Sequence, residues 1–187
     1  MSQKSVLCIN LFQPWADAAV DGRLPVLARR FPISRRGRVG IAATEGMDGV
    51  FLELLTDREL TMAEKYLRFG CAIGSVKIDD CLEVTRKSCW KDLEDLAGRP
   101  ATKFYPAHMM PRAGRIYFWV LSDPRRFRIP VKLLKRGITW SRASLTRNME
   151  SREIHTERTF WSQDAPRSYI RLNDEIRRAL WAVKPMQ

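Results

Sequence analysis

The segment Arg125-Arg126-Phe127-Arg128, followed by Lys132, Lys135, Arg136, Trp140 and Arg142, interleaves cations with aromatic rings. Cations of this kind hold a phosphate backbone, and rings or guanidinium planes stack on unpaired bases. A second set, Arg29, Arg30, Arg35, Arg36 and Arg38, offers one wall of a phosphate-binding cleft, or else a solvated hairpin tip. Gln13 and Trp15 add an amide and a ring able to meet a base. The small neighbours Ala16, Ala18 and Ala19 fit Trp15 equally to the core, which leaves Gln13 as the more exposed of the pair. The chain is less well furnished for catalysis. Asp79 and Asp80 near Lys77, or Glu45 near Arg29, can supply a carboxylate, but strand alternation points Asp79 and Asp80 to opposite faces. His108 and His155 fall in loops with no serine or cysteine partner pattern.

These residues sit in a chain of 187 residues with 33 Lys+Arg against 21 Asp+Glu, a net charge of +12, and 45% hydrophobic residues. Such a chain can bury a core, which argues against a disordered basic tail. The charge is uneven: residues 1–40 carry +5, residues 41–111 carry −3 and residues 112–187 carry +10. A folded body with a basic face assembled from distant segments has this distribution. Arginine supplies 24 of the basic residues, and guanidinium groups suit bidentate phosphate contacts. No apolar run reaches the roughly 20 residues of a spanning helix, and the N-terminal apolar stretch before Pro14 is too short for a signal peptide. A soluble, cytoplasmic protein without a membrane partner is expected. Cys8, Cys71, Cys81 and Cys89 form no CxxC pair and stand at no zinc-finger spacing from either histidine, so buried thiols are expected and neither a metal nor a cofactor is implied.

The elements that must position the basic clusters can be read from periodicity. Val6–Leu11 is a strand, Pro14 to Gly22 a short helix with Trp15, Ala18 and Ala19 on one face, and Val26–Arg30 a second strand. The basic turn Ser34-Arg35-Arg36-Gly37 leads into a third strand, Val39–Ala43. Asp48–Leu67 has helical spacing with a capped restart at Thr56-Asp57-Arg58-Glu59. Gly70–Leu82 alternates like a long, curved strand, and Arg86–Arg112 is helix and loop lying outside the barrel. Arg115–Leu121 is the best central strand, ending at the turn signal Ser122-Asp123-Pro124. Arg128–Val131 and Gly137–Trp140 are short edge segments, Pro130 arguing against a central position. A C-terminal helix is predicted over Asn173–Trp181.

The order of these segments resembles the ASCH domain family of the PUA-like β-barrel superfamily. The matching pieces are Gln13-Pro14-Trp15-Ala16, Gly22 ahead of a strand carrying Arg29, Gly37–Ala43, Gly74–Cys81, and Gly114–Phe127 followed by Ile129-Pro130-Val131. The resemblance covers roughly residues 5–140. It implies a small α+β, PUA-like curved β-barrel with flanking helices and a cleft facing RNA or a nucleoside. It also implies a Gly-x-Lys-x-x-Glu-x-Arg signature lining that cleft; some members look like amidohydrolases acting on acetylated cytidine, and others are reported as ribonucleases or RNA-binding modules. Gly22 and Arg29 match the signature, whereas Leu24 and Leu27 stand where the lysine and glutamate belong. A leucine can serve neither as nucleophile nor as proton shuttle.

The expectation is therefore an ASCH-like domain over residues 1–142 with a helical insertion at about 48–68, and a basic helical extension over 143–187 packing on the same domain. Its expected ligand is RNA or single-stranded nucleic acid, held by Gln13, Trp15, Arg29, Arg30, Arg35, Arg36, Arg125, Arg126, Arg128, Lys132 and Trp140, without catalysis. The alternatives are a nucleoside amidohydrolase or ribonuclease with a divergent site, and a protein-interaction module docking through Phe51–Leu67.

Overall fold

The computed structural model describes residues 4–85, 88–97, 106–112, 114–135, 137 and 139–145. The predicted C-terminal helix and the arginines of the extension from residue 147 onward lie outside the described residues. The chain runs β1 (Lys4–Gln13), α1 (Trp15–Val20), β2 (Val26–Arg29), β3 (Gly37–Met47), α2 (Gly49–Leu52), α3 (Asp57–Tyr66), β4 (Cys71–Val84), α4 (Cys89–Ala97), a 3-10 turn (Ala107–Met109), β5 (Ile116–Lys135) and β6 (Trp140–Leu145). The class is α+β.

The strands form one sheet in the order β2-β5-β4-β3-β1-β6, and β6 also pairs with β5. The ladder thus returns to β5 and the sheet is barrel-like, with β2 attached outside the ring of pairings. Among the described strands only β1 and β3 run parallel. The inward rows of the long strands, including Ile9, Val39, Ile41, Val76, Ile78 and Phe118, meet in the main core. A smaller cluster of Cys8, Ala42, Ala72, Val131 and Ala143 fills the region where β6 closes the ring.

All six residues of α1 are buried. The helix lies close on β4 because Gly74 has no side chain: a Cβ there would run into the Arg125 carbonyl oxygen and the Val20 side chain. Its buried charge is paired, with Arg126 meeting Asp17 at 2.7 Å and Asp21 at 2.7 Å. Burial works against the Arg126 charge, but Asp17 and Asp21 outweigh it and hold its pKa above the ordinary guanidinium value.

The turn signal at Ser122-Asp123-Pro124 does not end a strand. It is a bulge within the 20-residue β5: Ser75 pairs with Arg125 and Lys77 with Ser122, so β5 spends one more residue than β4. Asp123 takes a left-handed φ of 43° there, held by ion pairs from Arg38 and Arg125. Likewise Arg128–Val131 is not a separate edge segment but the middle of β5. Ala72 pairs with Val131 and Gly74 with Arg126, so Pro130, which has no N–H to donate, sits in slack that the ladder skips. A related shift between Ile78 and Asp80 leaves both Asp79 and Asp80 exposed rather than on opposite faces. The expected break in Asp48–Leu67 falls between α2 and α3, where Thr56 and Glu59 form a capping box.

Candidate nucleic-acid interface

The strand β2 is apolar in its first three residues, Val26, Leu27 and Ala28, all buried, and this anchors the basic pair that follows. Arg29 and Arg30 leave the sheet edge together and line an open groove of about 650 Å³ with Phe31, His108, Arg112 and Thr139, among others. Its described lining carries three arginines and one histidine and no carboxylate. Arg29 donates to the Ala28 carbonyl at 3.0 Å, and its guanidinium lies 5.7 Å from the centroid of the Trp119 ring.

One carboxylate stands directly behind the groove wall. Asp48 caps α2 by accepting from the Phe51 N–H at 3.2 Å and accepts from the Trp15 indole at 3.0 Å. It also lies 2.7 Å from Nε2 of His108. Burial works against the Asp48 charge, but the His108, Phe51 and Trp15 contacts together outweigh it and hold its pKa below the ordinary carboxylate value. The sequence reading missed this pair, because 60 residues separate its members and neither lies in a recognisable pattern. The N-cap position of Asp48 was its one local signal.

Several expected contact residues are committed elsewhere. Gln13, expected to be exposed, is fully buried: it donates to the Arg68 carbonyl at 2.7 Å and accepts from the Asp17 N–H at 3.1 Å. Its amide oxygen satisfies a backbone N–H that the start of α1 would otherwise strand. Trp15 is also buried, edge-on to Phe51 with centroids 5.7 Å apart, so neither ring face is open to a base. Arg36 pairs with Asp80 at 2.9 Å, Arg125 with Asp123 at 3.0 Å, and Arg126 with α1 as above. Trp140 is half-buried and stacks on Trp119 at 5.8 Å. Arg35, Arg128 and Lys132 are exposed, but they are not among the residues that line the groove. The residues brought together are Arg29 and Arg30, joined by Arg112, Phe31 and His108, which had not been singled out for binding.

Leu24 and Leu27 are 2% and 0% exposed and belong to the core with Trp15 and Phe118, so they do not line the groove. Burial also pushes the Cys8 thiol up to about 11, which leaves it protonated and unreactive. Among the described residues no group of three His, Cys, Asp or Glu side chains is gathered to hold a metal ion, and no helix is long and apolar enough to cross a membrane.

No protein-family model matches the chain. Over 142 residues, 70% of this chain, it is 25% identical to activating signal cointegrator 1 of Mus musculus and of Homo sapiens. The match takes in 24% of those proteins, so the chain spans about a quarter of the length of these curated relatives. Among solved structures it is similar to ASCH from Zymomonas mobilis, at 18% identity and a TM-score of 0.46, covering 77% of this chain and 90% of that one. A point mutant of the same protein matches at the same identity and score. Taken with the five segments that occur in the family's order between Gln13 and Val131, this chain resembles the ASCH domain proteins.

Proposed function

We propose that the groove between β2 and the segment His108–Arg112 binds a single strand of nucleic acid, RNA in particular, and that this is the function of the domain. The observation that carries the reading is the convergence of Arg29, Arg30 and Arg112 on one concave surface whose described lining holds no carboxylate. Phosphate contacts of this kind supply affinity independent of sequence. The resemblance to a PUA-like family supports RNA as the polymer, and the burial of Leu24 and Leu27 fits a binding role for the groove. Fluorescence anisotropy with a labelled 12-nucleotide RNA over a salt series tests the reading. Submicromolar binding is expected, with an affinity that falls steeply with salt. Replacing Arg30 or Arg112 with glutamine is expected to reduce the slope of log K against log salt by about 1 each. Absence of binding at low salt overturns it.

The Asp48–His108 contact favours a second reading. A histidine whose Nε2 is held by a carboxylate has its Nδ1 available to take a proton, which suits cleavage of a phosphodiester by the neighbouring 2′-hydroxyl or hydrolysis of an acylated nucleoside. Labelled RNA and acetylated cytidine that stay intact over hours, with and without divalent metal, remove it. The docking role for Phe51–Leu67 has less support, because Phe51, Ala63 and Leu67 are buried in the core and Leu52 is the one large apolar side chain of the stretch that is exposed.

A further inference from the structure

Phe31 is the exposed large aromatic of the groove. It follows directly on Arg29 and Arg30, lines the same surface, and is 43% exposed. A phenylalanine left in water at the end of a buried strand gives up hydrophobic stabilisation, and this one is also held in place. Its carbonyl accepts from the Trp119 indole N–H at 3.2 Å, and its ring packs against Trp119 at 74° with centroids 5.5 Å apart. Trp119 in turn is fully buried and stacks on Trp140. The ring is therefore held against Trp119, which Trp140 backs in turn, and it shares the groove lining with Arg29, Arg30 and Arg112.

We propose that Phe31 is the stacking platform for an unpaired nucleobase, with the phosphates adjoining that base held by Arg30 and Arg112. The inference rests on the reading of the groove as a nucleic-acid site and goes further by naming the residue that selects single strands. A base inside a duplex has both faces covered by its neighbours, whereas a single-stranded base offers a free π-face to an aromatic side chain. The lining also includes the partly exposed Met109, whose unbranched thioether chain adapts to bases of different shape. The surface thus distinguishes unpaired from paired strands without reading sequence.

The test uses the full chain and three probes: a labelled 12-nucleotide oligouridine, a 12-base-pair RNA duplex, and an oligonucleotide carrying 2-aminopurine, whose emission falls when it stacks. For the wild type, binding to the single strand is expected to quench 2-aminopurine. Phe31→Leu is expected to weaken single-strand binding about tenfold or more, to leave the salt slope and duplex binding unchanged, and to abolish the quenching. Phe31→Tyr keeps the ring and is expected to retain single-strand affinity within about twofold, the stacking being tolerant of the ring that supplies it. Wild-type binding without quenching overturns the inference, as does unchanged affinity in a folded Phe31→Leu or equal weakening toward both polymers. A wild type that binds neither polymer at low salt overturns the groove reading itself, so the two failures are distinct.

Discussion

Asp48 makes more of the groove than any residue that faces it. Its carboxylate joins the N-terminus of α2, the Trp15 indole of α1 and the His108 ring of the segment after α4. Removing it strands a buried indole N–H and a helix cap together, so Asp48→Ala is expected to cost about 2–3 kcal/mol at neutral pH, measured by urea unfolding. The pH dependence has a definite sign. Because folding depresses the Asp48 pKa below its ordinary 3.8, its contribution is fully present above that value and is lost as pH falls through the lower folded-state value. The gap between wild type and Asp48→Ala is therefore expected to be constant from pH 5 to 7 and to close in stronger acid; a gap that widens in acid contradicts this assignment. At the signature positions Leu24 and Leu27 the same chemistry applies in reverse: the core around them has no partner role for a charge, and leucine is what a site with no access to water accepts.

At the scale of elements, α1 and β5 are joined by ions rather than by grease alone. Arg126 bridges Asp17 and Asp21 from β5, and Asp17 is 2% exposed. Arg126→Ala leaves that carboxylate buried and unpaired, which is expected to cost about 3–5 kcal/mol, whereas the double change Arg126→Met with Asp17→Leu is expected to recover most of it. Chemical denaturation of the two variants separates a pairing role from a packing role. This contact also explains why the Arg125-Arg126-Phe127-Arg128 run misled. A run of cations reads as a solvated or ligand-facing surface, yet alternation along β5 and the bulge at Asp123 turn Arg126 inward to α1 and Arg125 onto Asp123. The strand–helix–strand opening of the chain was legible, because alternation and helical spacing are local. The length of β5 was not, because Asp123-Pro124 and Pro130 are turn residues that a bulged ladder tolerates as well as a hairpin does.

For the whole molecule, closure of the sheet decides where the charge ends up. Of the +10 carried by residues 112–187, residues 112–145 hold +8, and much of the basic character of β5 is neutralised by carboxylates from α1 and from the strand's own bulge. The groove draws instead on Arg29, whose strand pairs with β5, on Arg30 next to it, and on Arg112, which precedes β5. Closure itself rests on the small cluster in which Ala143 of β6 is wholly buried against Cys8, Ala42, Ala72 and Val131. A carboxylate forced into that site has neither room nor partner. Ala143→Glu is expected to destabilise the fold by about 3 kcal/mol or more, read as a lowered thermal midpoint and earlier hydrogen exchange in β6 than in β4. A midpoint within a degree of the wild type shows that the ring does not depend on this cluster.

By itself the sequence determined much of the succession of strands and helices and the α+β class, since each depends on periodicity or on neighbours a few positions apart, and it carried the family resemblance in its local motifs. Which cations pair with carboxylates was decided only by the tertiary structure. Ion pairing depends on distance in space, and the carboxylates that claim Arg36 and Arg126 lie 44 and 105 residues away in the chain. The same holds for the burial of Gln13 and for the contact that sets His108 against Asp48 across 60 residues. A surplus of +12 is legible in the sequence, whereas the gathering of three arginines, a histidine and an exposed ring along one groove is visible only in the fold.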